Sequence, residues 1–268
     1  MHRVSSFEDL QKQIAEIRAL RQGSLTNFFP DEEKHGLWIE KGDCYIERVE
    51  NTLFIVKTNL SFWNVYYYST NIETFSSDLE LFNTSHAGMT MMYDQVGRHA
   101  QCERLVKLFE EKGCMKATSL VRMSRMTAPM NYKLDNTVRY ASEKDIPLIS
   151  NQLHQYFNER TEQIPYDEEL RNYTQRNHVL VCEESGVISG FLIFELTNTT
   201  LYLRYWFTHP DYRGRKVGSR LLRRFFVEGK ETKRQLLWVI RTNENAIVRY
   251  RHYGFKEEDM FDYVMQYN

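Results

Sequence analysis

Apolar and polar residues along this chain repeat with two periods, and each change of period predicts a change of element. A serine-capped helix is predicted from Ser6 to about Gly23, and the segment after Pro30 is interpreted as a loop. Short β-rich runs then predict an antiparallel meander. Its strands are expected at Cys44 to Val49, Leu53 to Lys57 and Phe62 to Tyr68. Beyond it the pattern predicts helices at Ile72 to Phe82 and His99 to Lys112, with strands at Met89 to Val96 and Ala117 to Met123.

The C-terminal half shows the same kind of alternation. Ser142 and Asp145 have the spacing of a capping box, which predicts a helix running towards Phe157. The next elements are a helix (Asp167 to Gln175), a hairpin (Val179 to Cys182 and Ile188 to Leu196), a strand (Leu201 to Phe207), a helix with apolar residues from Val217 to Phe226, and a strand (Leu236 to Ile240). These elements predict an α+β fold with a mixed, mostly antiparallel sheet flanked by helices.

The stretch from Asp211 to Ser219, between a strand and a helix, carries the strongest chemical signal. Gly214 and Gly218 allow the backbone to approach a ligand closely. The first amides of a helix have no partner inside it, and with the helix dipole they favour a bound anion. Arg213, Arg215 and Lys216 add positive charge there. The stretch predicts a site for a phosphate-bearing ligand, with an ordinary turn bearing solvated basic residues as the alternative.

A second stretch downstream weighs against that alternative. It matches the pattern Asn-x-x-Ala-x-x-x-Tyr-x-x-x-Gly-Phe at Asn243, Ala246, Tyr250, Gly254 and Phe255. The basic loop matches Arg/Gln-x-x-Gly-x-Gly/Ala from Arg213 to Gly218, except that Lys216 replaces the first glycine of this pattern. With both motifs in this order, roughly the last half of the chain resembles the GNAT superfamily of N-acyltransferases, whose fold binds acyl-coenzyme A.

The resemblance implies acetyl-CoA as the donor and suggests a role for individual residues. The loop would hold its phosphates through Arg213, Gly214, Arg215, Lys216, Val217, Gly218 and Ser219. The preceding strand would splay from its neighbour and pair its backbone with the pantetheine arm at Trp206, Phe207 and Thr208. Asn243 would contact the cofactor and cap its helix, and Tyr250 would protonate the departing thiolate. The alternatives are a core position for Tyr250 and a purely capping role for Asn243.

The general base is left open by the sequence. Some relatives have a glutamate at the position of Trp238, so that role does not transfer. Glu195, Tyr205, His252 or a water molecule could serve instead. In the resembling proteins the segment after the first strand shapes the acceptor pocket, which makes the segment from Asn158 to Arg176 the candidate for acceptor selection.

The N-terminal half shows a weaker version of the second motif. A predicted helix ends at Gly113 and a strand follows it, as at Gly254, and aligning the two glycines places Phe109 opposite Tyr250. We therefore expect two related domains in tandem: a degenerate copy without the basic loop (1–132) and a catalytic domain (133–268). The alternative is that a helix, a glycine and a strand recur by chance.

Composition narrows the classes of partner. The formal net charge of -1 argues against a general binder of nucleic acid or membrane surfaces. The four cysteines lack the paired spacing of a zinc site, and no metal is expected. Without a signal peptide or a long apolar run, the expectation is a soluble cytoplasmic protein. The oligomeric state cannot be derived from the sequence.

These observations predict an N-acetyltransferase that moves an acetyl group from acetyl-CoA to a primary amine of a small molecule or peptide. One alternative is a non-catalytic module for CoA or protein binding, in which Lys216 disrupts the phosphate-binding geometry of the loop. Another is an acyltransferase with a longer donor, against which the large side chains of Trp206, Phe207 and Trp238 argue.

Overall fold

The computed structural model describes residues 1–20, 22–128 and 132–268. Its helices are α1 (Phe7–Ala19), α2 (Glu32–Lys41), α3 (Ile72–Ser85), α4 (His99–Glu111), α5 (Ile146–Tyr156), α6 (Asp167–Gln175), α7 (Val217–Glu228) and α8 (Glu244–His252). Its strands are β1 (His2–Arg3), β2 (Leu25–Thr26), β3 (Cys44–Val49), β4 (Thr52–Thr58), β5 (Trp63–Ser69), β6 (Met91–Gly97), β7 (Met115–Met126), β8 (Val138–Tyr140), β9 (Val179–Glu184), β10 (Val187–Thr197), β11 (Thr200–Thr208), β12 (Arg234–Ile240) and β13 (Lys256–Tyr267).

The described chain forms two compact units. Unit 1 comprises Met1–Ser119 and Met260–Asn268, and unit 2 comprises Leu120–Asp259. The expected extents of 1–132 and 133–268 stay a prediction, and residues 129–131 next to that boundary lie outside the described residues.

Unit 1 contains a sheet with the strand order β1-β3-β4-β5-β6-β13, and β2 adds to β5. The pairs are antiparallel except β5 with β6, which run parallel. The meander expected over residues 44–68 is therefore confirmed. A core of aromatic side chains fills the unit, including Phe54, Phe75, Phe82, Tyr93 and Phe109, each of them fully buried.

Unit 2 has the strand order β7-β12-β11-β10-β9-β8, in which β11 and β12 run parallel and the other pairs are antiparallel. Alternate residues of β9 to β11 pack with α5 and α6 in one core, among them Val181, Phe191 and Phe207. Helix α7 also packs against β9, β10 and β11, and its Phe225 contacts Phe194. The expected fold class, a mixed and mostly antiparallel sheet flanked by helices, is confirmed.

One element was interpreted wrongly from the sequence. The segment after Pro30, taken as a loop, forms α2. Its start is capped by Asp31, whose carboxylate accepts a hydrogen bond from the Lys34 amide, and it ends at Gly42 in the left-handed conformation. Trp38 and Ile39 are buried, and this packing stabilises the helix. Such tertiary contacts are not visible in the local sequence pattern.

Among the described residues, no helix is both long and apolar enough to cross a membrane.

Candidate active site

The parallel strands β11 and β12 are paired over only half of their length. Their residues are in register from Thr200 with Arg234 to Leu203 with Leu237, and the ladder stops there. On the other side of β11, the pairing with β10 shifts at Ile193, so that Arg204 is an extra residue. Beyond this bulge, β11 therefore has one edge without a neighbouring strand.

A cavity of about 660 Å³ lies where the two strands separate. Its walls include the ends of both strands, the loop before α7 and one face of α8. The predicted site residues that line it are Trp206, Phe207, Thr208, Arg213, Gly214, Lys216, Val217, Gly218, Ser219, Asn243 and Tyr250. The remaining one, Arg215, lines a neighbouring cavity of about 980 Å³ that shares Lys216, Ser219 and Tyr253 with the first.

The loop before α7 leaves the start of that helix without a side-chain cap. Lys216 occupies the cap position in the left-handed conformation, with a φ of 62°, and its side chain makes no capping hydrogen bond. No acidic residue lies in the first turn. The first amides of α7 therefore have no intrahelical partner and lie among cations, an arrangement suited to an anion.

Gly218 brings the helix start close to β11. A Cβ atom at this position would lie 2.9 Å from the ring of Trp206, closer than real side-chain contacts. The indole Nε1 of Trp206 donates a hydrogen bond to the Gly218 carbonyl at 3.2 Å. A larger residue at 218 would therefore push against a ring that is itself tied to the loop.

The larger cavity adds further positive charge beside this loop. Arg125, Arg215, Arg220 and Arg223 line it together with Lys216. Two acidic residues are among its walls, Asp135 and Glu184, and the carboxylate of the second is paired with Arg220. The surroundings of the loop thus have an excess of positive charge, although the whole chain is nearly neutral.

Tyr250 is a buried tyrosine whose hydroxyl is not committed to the protein. Its ring lies between Trp206 and Phe255, with centroid distances of 5.5 and 5.9 Å. Its hydroxyl has no hydrogen-bond partner among the described residues, and the side chain lines the smaller cavity. Burial raises the pKa of Tyr250, which the charge of Arg249 partly offsets. The phenol therefore stays protonated across the neutral range and can donate a proton.

Asn243 has the capping role that its position suggested. Its side-chain oxygen accepts a hydrogen bond from the Ala246 amide at 3.1 Å, at the start of α8. It also lines the cavity, so that the capping geometry is compatible with contact to a ligand.

The candidate general bases lie at different places relative to the two cavities. Glu195 is not among the residues that line either cavity; its carboxylate accepts a hydrogen bond from the Tyr173 hydroxyl at 2.6 Å and pairs with Arg204 at 3.4 Å. His252 lines the larger cavity. Tyr205 lines the smaller one, where burial raises its pKa and its hydroxyl lies within hydrogen-bond distance of two backbone carbonyls.

Sequence reasoning missed Glu162, which lines the smaller cavity. It lies in the segment from Asn158 to Arg176 that was expected to select the acceptor. No motif marks it, because its role depends on how the turn between α5 and α6 lies against β11.

Comparison with known proteins supports the family resemblance. Residues 175–257 match the family model described as Acetyltransferase (GNAT) domain. No curated protein sequence matches this chain.

Several solved structures share the fold. A GCN5-related N-acetyltransferase from Sphaerobacter thermophilus is 14% identical with a TM-score of 0.61, covering 81% of this chain and 76% of that chain. A GNAT-family acetyltransferase from Colwellia psychrerythraea is 12% identical with a TM-score of 0.56, covering 99% and 98%. A tandem GNAT protein from the clavulanic acid biosynthesis pathway is 9% identical with a TM-score of 0.55, covering 91% and 97%. At these identities the likeness concerns the fold, and it includes a two-domain arrangement. Residues 175–257 thus match a GNAT domain model, and the chain shares its fold with solved structures of GNAT acetyltransferases.

Proposed function

We propose that unit 2 transfers an acetyl group from acetyl-CoA to a primary amine by direct attack of the amine on the thioester. The observation that carries this proposal is the uncapped, cationic start of α7 beside the open edge of β11. A dianionic ligand with an extended arm fits both features, since phosphate suits the helix start and an amide-bearing arm suits an unpaired strand edge.

The residues present fit the CoA portion of such a donor. The loop from Arg213 to Ser219 would bind the pyrophosphate through its amides and cations. Backbone groups of Trp206, Phe207 and Thr208 would pair with the pantetheine arm, and a free amide in this segment would stabilise the developing oxyanion. Asn243 would contact the arm from the start of α8.

Tyr250 would supply the proton that the leaving thiolate needs. Its hydroxyl has no other partner among the described residues, which supports a catalytic role over a structural one. A module that only binds CoA would have no need of this group. Protonation of the sulfur by a positioned phenol contributes roughly 10²- to 10⁴-fold to the rate.

Thermal denaturation with acetyl-CoA tests the donor site. A ligand that binds only the folded chain stabilises it, by about 2.7 kcal/mol at a hundredfold excess over Kd. We expect saturable stabilisation of the wild type and none for Gly218→Glu, because the new side chain meets the Trp206 ring. Gly36→Glu is the matched control, since a Cβ at this helical glycine meets nothing within 4 Å.

A second variant keeps the test informative if Gly218→Glu does not fold. Arg213→Glu reverses one exposed charge of the loop and should weaken acetyl-CoA binding without lowering the melting temperature of the free protein. A panel of primary amines, with release of free thiol as the signal, then tests transfer. A wild type that millimolar acetyl-CoA does not stabilise would rule out the proposed function and favour the interaction module.

A further inference from the structure

One carboxylate lines the cavity at the separated strands. Among the described residues that form its wall, Glu162 is the only acidic one. The other polar groups there are arginine, lysine, tyrosine, hydroxyl and amide side chains. An amine that reaches this cavity as an ammonium ion therefore meets a single negative charge.

The turn that carries Glu162 is fixed to β11. The Tyr205 hydroxyl lies within hydrogen-bond distance of two consecutive carbonyls, at 2.7 Å from that of Glu162 and 2.9 Å from that of Gln163. Tyr205 is itself buried in β11, just beyond the bulge. The backbone of Glu162 is thus held by the same strand that, under the proposed function, positions the thioester.

The carboxylate is held by one of its two oxygens. Oε2 accepts a hydrogen bond from the Asn158 amide at 2.8 Å. Oε1 has no hydrogen-bond or ion-pair partner among the described residues. Glu162 therefore combines a fixed position with one oxygen that is available to a ligand.

We infer that Glu162 is the proton acceptor for the amine substrate, an inference that rests on the proposed function. Its charge first attracts the ammonium form, which loses one proton to solvent and becomes the neutral amine. As the nitrogen bonds to the carbonyl carbon, Oε1 takes a second proton from it, the carbon–sulfur bond breaks, and Tyr250 gives its proton to the sulfur. Glu162 ends protonated and Tyr250 deprotonated, and exchange of one proton through solvent restores both.

The electrostatics of the turn suit this role. Burial raises the pKa of Glu162, and the hydrogen bond from Asn158 opposes that rise only in part. A base works best when its pKa lies near the working pH. The other titratable side chains of the cavity wall are arginine, lysine and tyrosine. A limb of the pH profile that disappears in Glu162→Gln therefore reports on Glu162.

Glu195 does not offer the same chemistry. Its carboxylate is engaged by Tyr173 and Arg204, and it is not part of the cavity wall.

The test compares Glu162→Gln with Glu159→Gln. Glutamine keeps an oxygen that can accept from the Asn158 amide but removes the basicity, so the turn should stay folded. Glu159 lies in the same turn, half exposed and paired with His154, and is not part of the wall, so its substitution removes the same charge elsewhere. The readouts are kcat with the amine of the panel that the wild type acetylates fastest, its pH profile, and stabilisation by acetyl-CoA.

We expect Glu162→Gln to lower kcat at least about 100-fold while stabilisation by acetyl-CoA is unchanged. The wild-type kcat should rise with pH through the titration of Glu162, and this limb should vanish in Glu162→Gln but remain in Glu159→Gln. A kcat for Glu162→Gln within threefold of the wild type, or a limb that persists, would overturn the inference alone. A wild type that acetylates no amine of the panel would overturn it together with the proposed function.

Discussion

The two units contain the same succession of elements but differ at the places where chemistry is expected. In unit 1, β3, β4 and β5 form a meander, followed by α3, β6 and α4. In unit 2, β9, β10 and β11 are followed by α7, β12 and α8. In both, the third strand runs parallel to the fourth and leaves it after a short ladder. The units therefore differ in the side chains and helix starts at the point where the two parallel strands separate.

In unit 1 the separation between β5 and β6 is closed by the side chain of Asn27. Its Oδ1 accepts a hydrogen bond from the Tyr67 amide at 2.8 Å, and its Nδ2 donates to the Asp94 carbonyl at 2.9 Å. Counting from the last paired residues, Asn64 in β5 and Leu203 in β11, Tyr67 corresponds to Trp206. An amide of the chain thus occupies in unit 1 the place where the proposed function has the pantetheine arm in unit 2.

The helix starts differ in the same sense. In α3 the cap is Asn71, in extended conformation, and its side chain accepts from the Thr74 amide at 2.9 Å. In α7 the cap is Lys216, which makes no such bond. The anion site offered by a free helix start is therefore filled by the protein itself in unit 1.

The ends of the last helices share their backbone geometry. The Cys114 amide donates to the Phe109 carbonyl at 2.9 Å, as the Phe255 amide donates to the Tyr250 carbonyl at 3.1 Å. Phe109 is fully buried in the aromatic core. The expected alignment of these two residues agrees with this geometry. The comparison teaches that two units can share backbone geometry while a few side chains fill in one unit the space that is open in the other.

The largest effect is expected from giving unit 2 the residue type that unit 1 has at the corresponding position, which is Phe109 in unit 1 and Tyr250 in unit 2. Tyr250→Phe removes the only group proposed to protonate the thiolate, so kcat should fall about 10²- to 10³-fold. This corresponds to about 3 to 4 kcal/mol in the activation free energy. Stabilisation by acetyl-CoA, followed by thermal denaturation, should be unchanged because the ring remains against Trp206.

The reverse exchange is the control. Phe109→Tyr places a hydroxyl in a core between Phe75 and Tyr93 and should cost about 1 to 3 kcal/mol of unfolding free energy in urea. Activity per folded molecule should not change. If Tyr250→Phe kept more than half of the wild-type kcat, the contrast between these two positions would have no catalytic meaning.

Much of this comparison could be predicted from the sequence, because it depends on local signals. The period of apolar residues predicted most helices and strands, and the glycines at 113 and 254 marked the ends of two helices, where both adopt positive φ. The basic loop was recognisable since its glycines and cations are contiguous, and those residues line adjoining cavities.

The rest depends on contacts distant in sequence. Asn27 bridges residues 40 and 67 positions away, and an asparagine outside every predicted helix and strand gives no sign of this. Glu162 gains its place from Tyr205, 43 residues later. The carboxylate that sequence reasoning considered, Glu195, lies on a strand of the same sheet but is held by Tyr173 and Arg204. Strand position alone could not decide which acid lines the cavity.

An intermediate effect is expected from opening the separation in unit 1. Asn27→Ala leaves the Tyr67 amide and the Asp94 carbonyl without the side chain that joins them. With about 1 kcal/mol for each lost hydrogen bond, the unfolding free energy should fall by about 2 kcal/mol. Urea denaturation followed by far-ultraviolet circular dichroism measures this change.

Asn59→Ala serves as the matched substitution in the same unit. Its side chain donates to the Asn64 side chain and joins no strands, so the loss should be within about 1 kcal/mol. Asn27→Ala should not create acetyl-CoA binding, because α3 is still capped by Asn71 and no basic loop precedes it. Equal losses for the two variants would contradict the view that Asn27 closes the separation.

The smallest effect concerns Lys216, which keeps the helix start of unit 2 unlike that of unit 1. A left-handed conformation costs a residue with a side chain about 1 to 2 kcal/mol, and glycine avoids this at about 0.4 to 1 kcal/mol of added unfolded-state entropy. Lys216→Gly should therefore raise the unfolding free energy by at most about 1.6 kcal/mol. Ser185→Gly, at a φ of 52° in the turn between β9 and β10, concerns a residue that lines neither cavity and should give a similar gain. The two variants should differ in acetyl-CoA binding: severalfold weaker for Lys216→Gly, because a cation at the phosphate site is lost, and unchanged for Ser185→Gly. Equal or tighter binding by Lys216→Gly would mean that glycine serves this loop better and that the lysine only strains it.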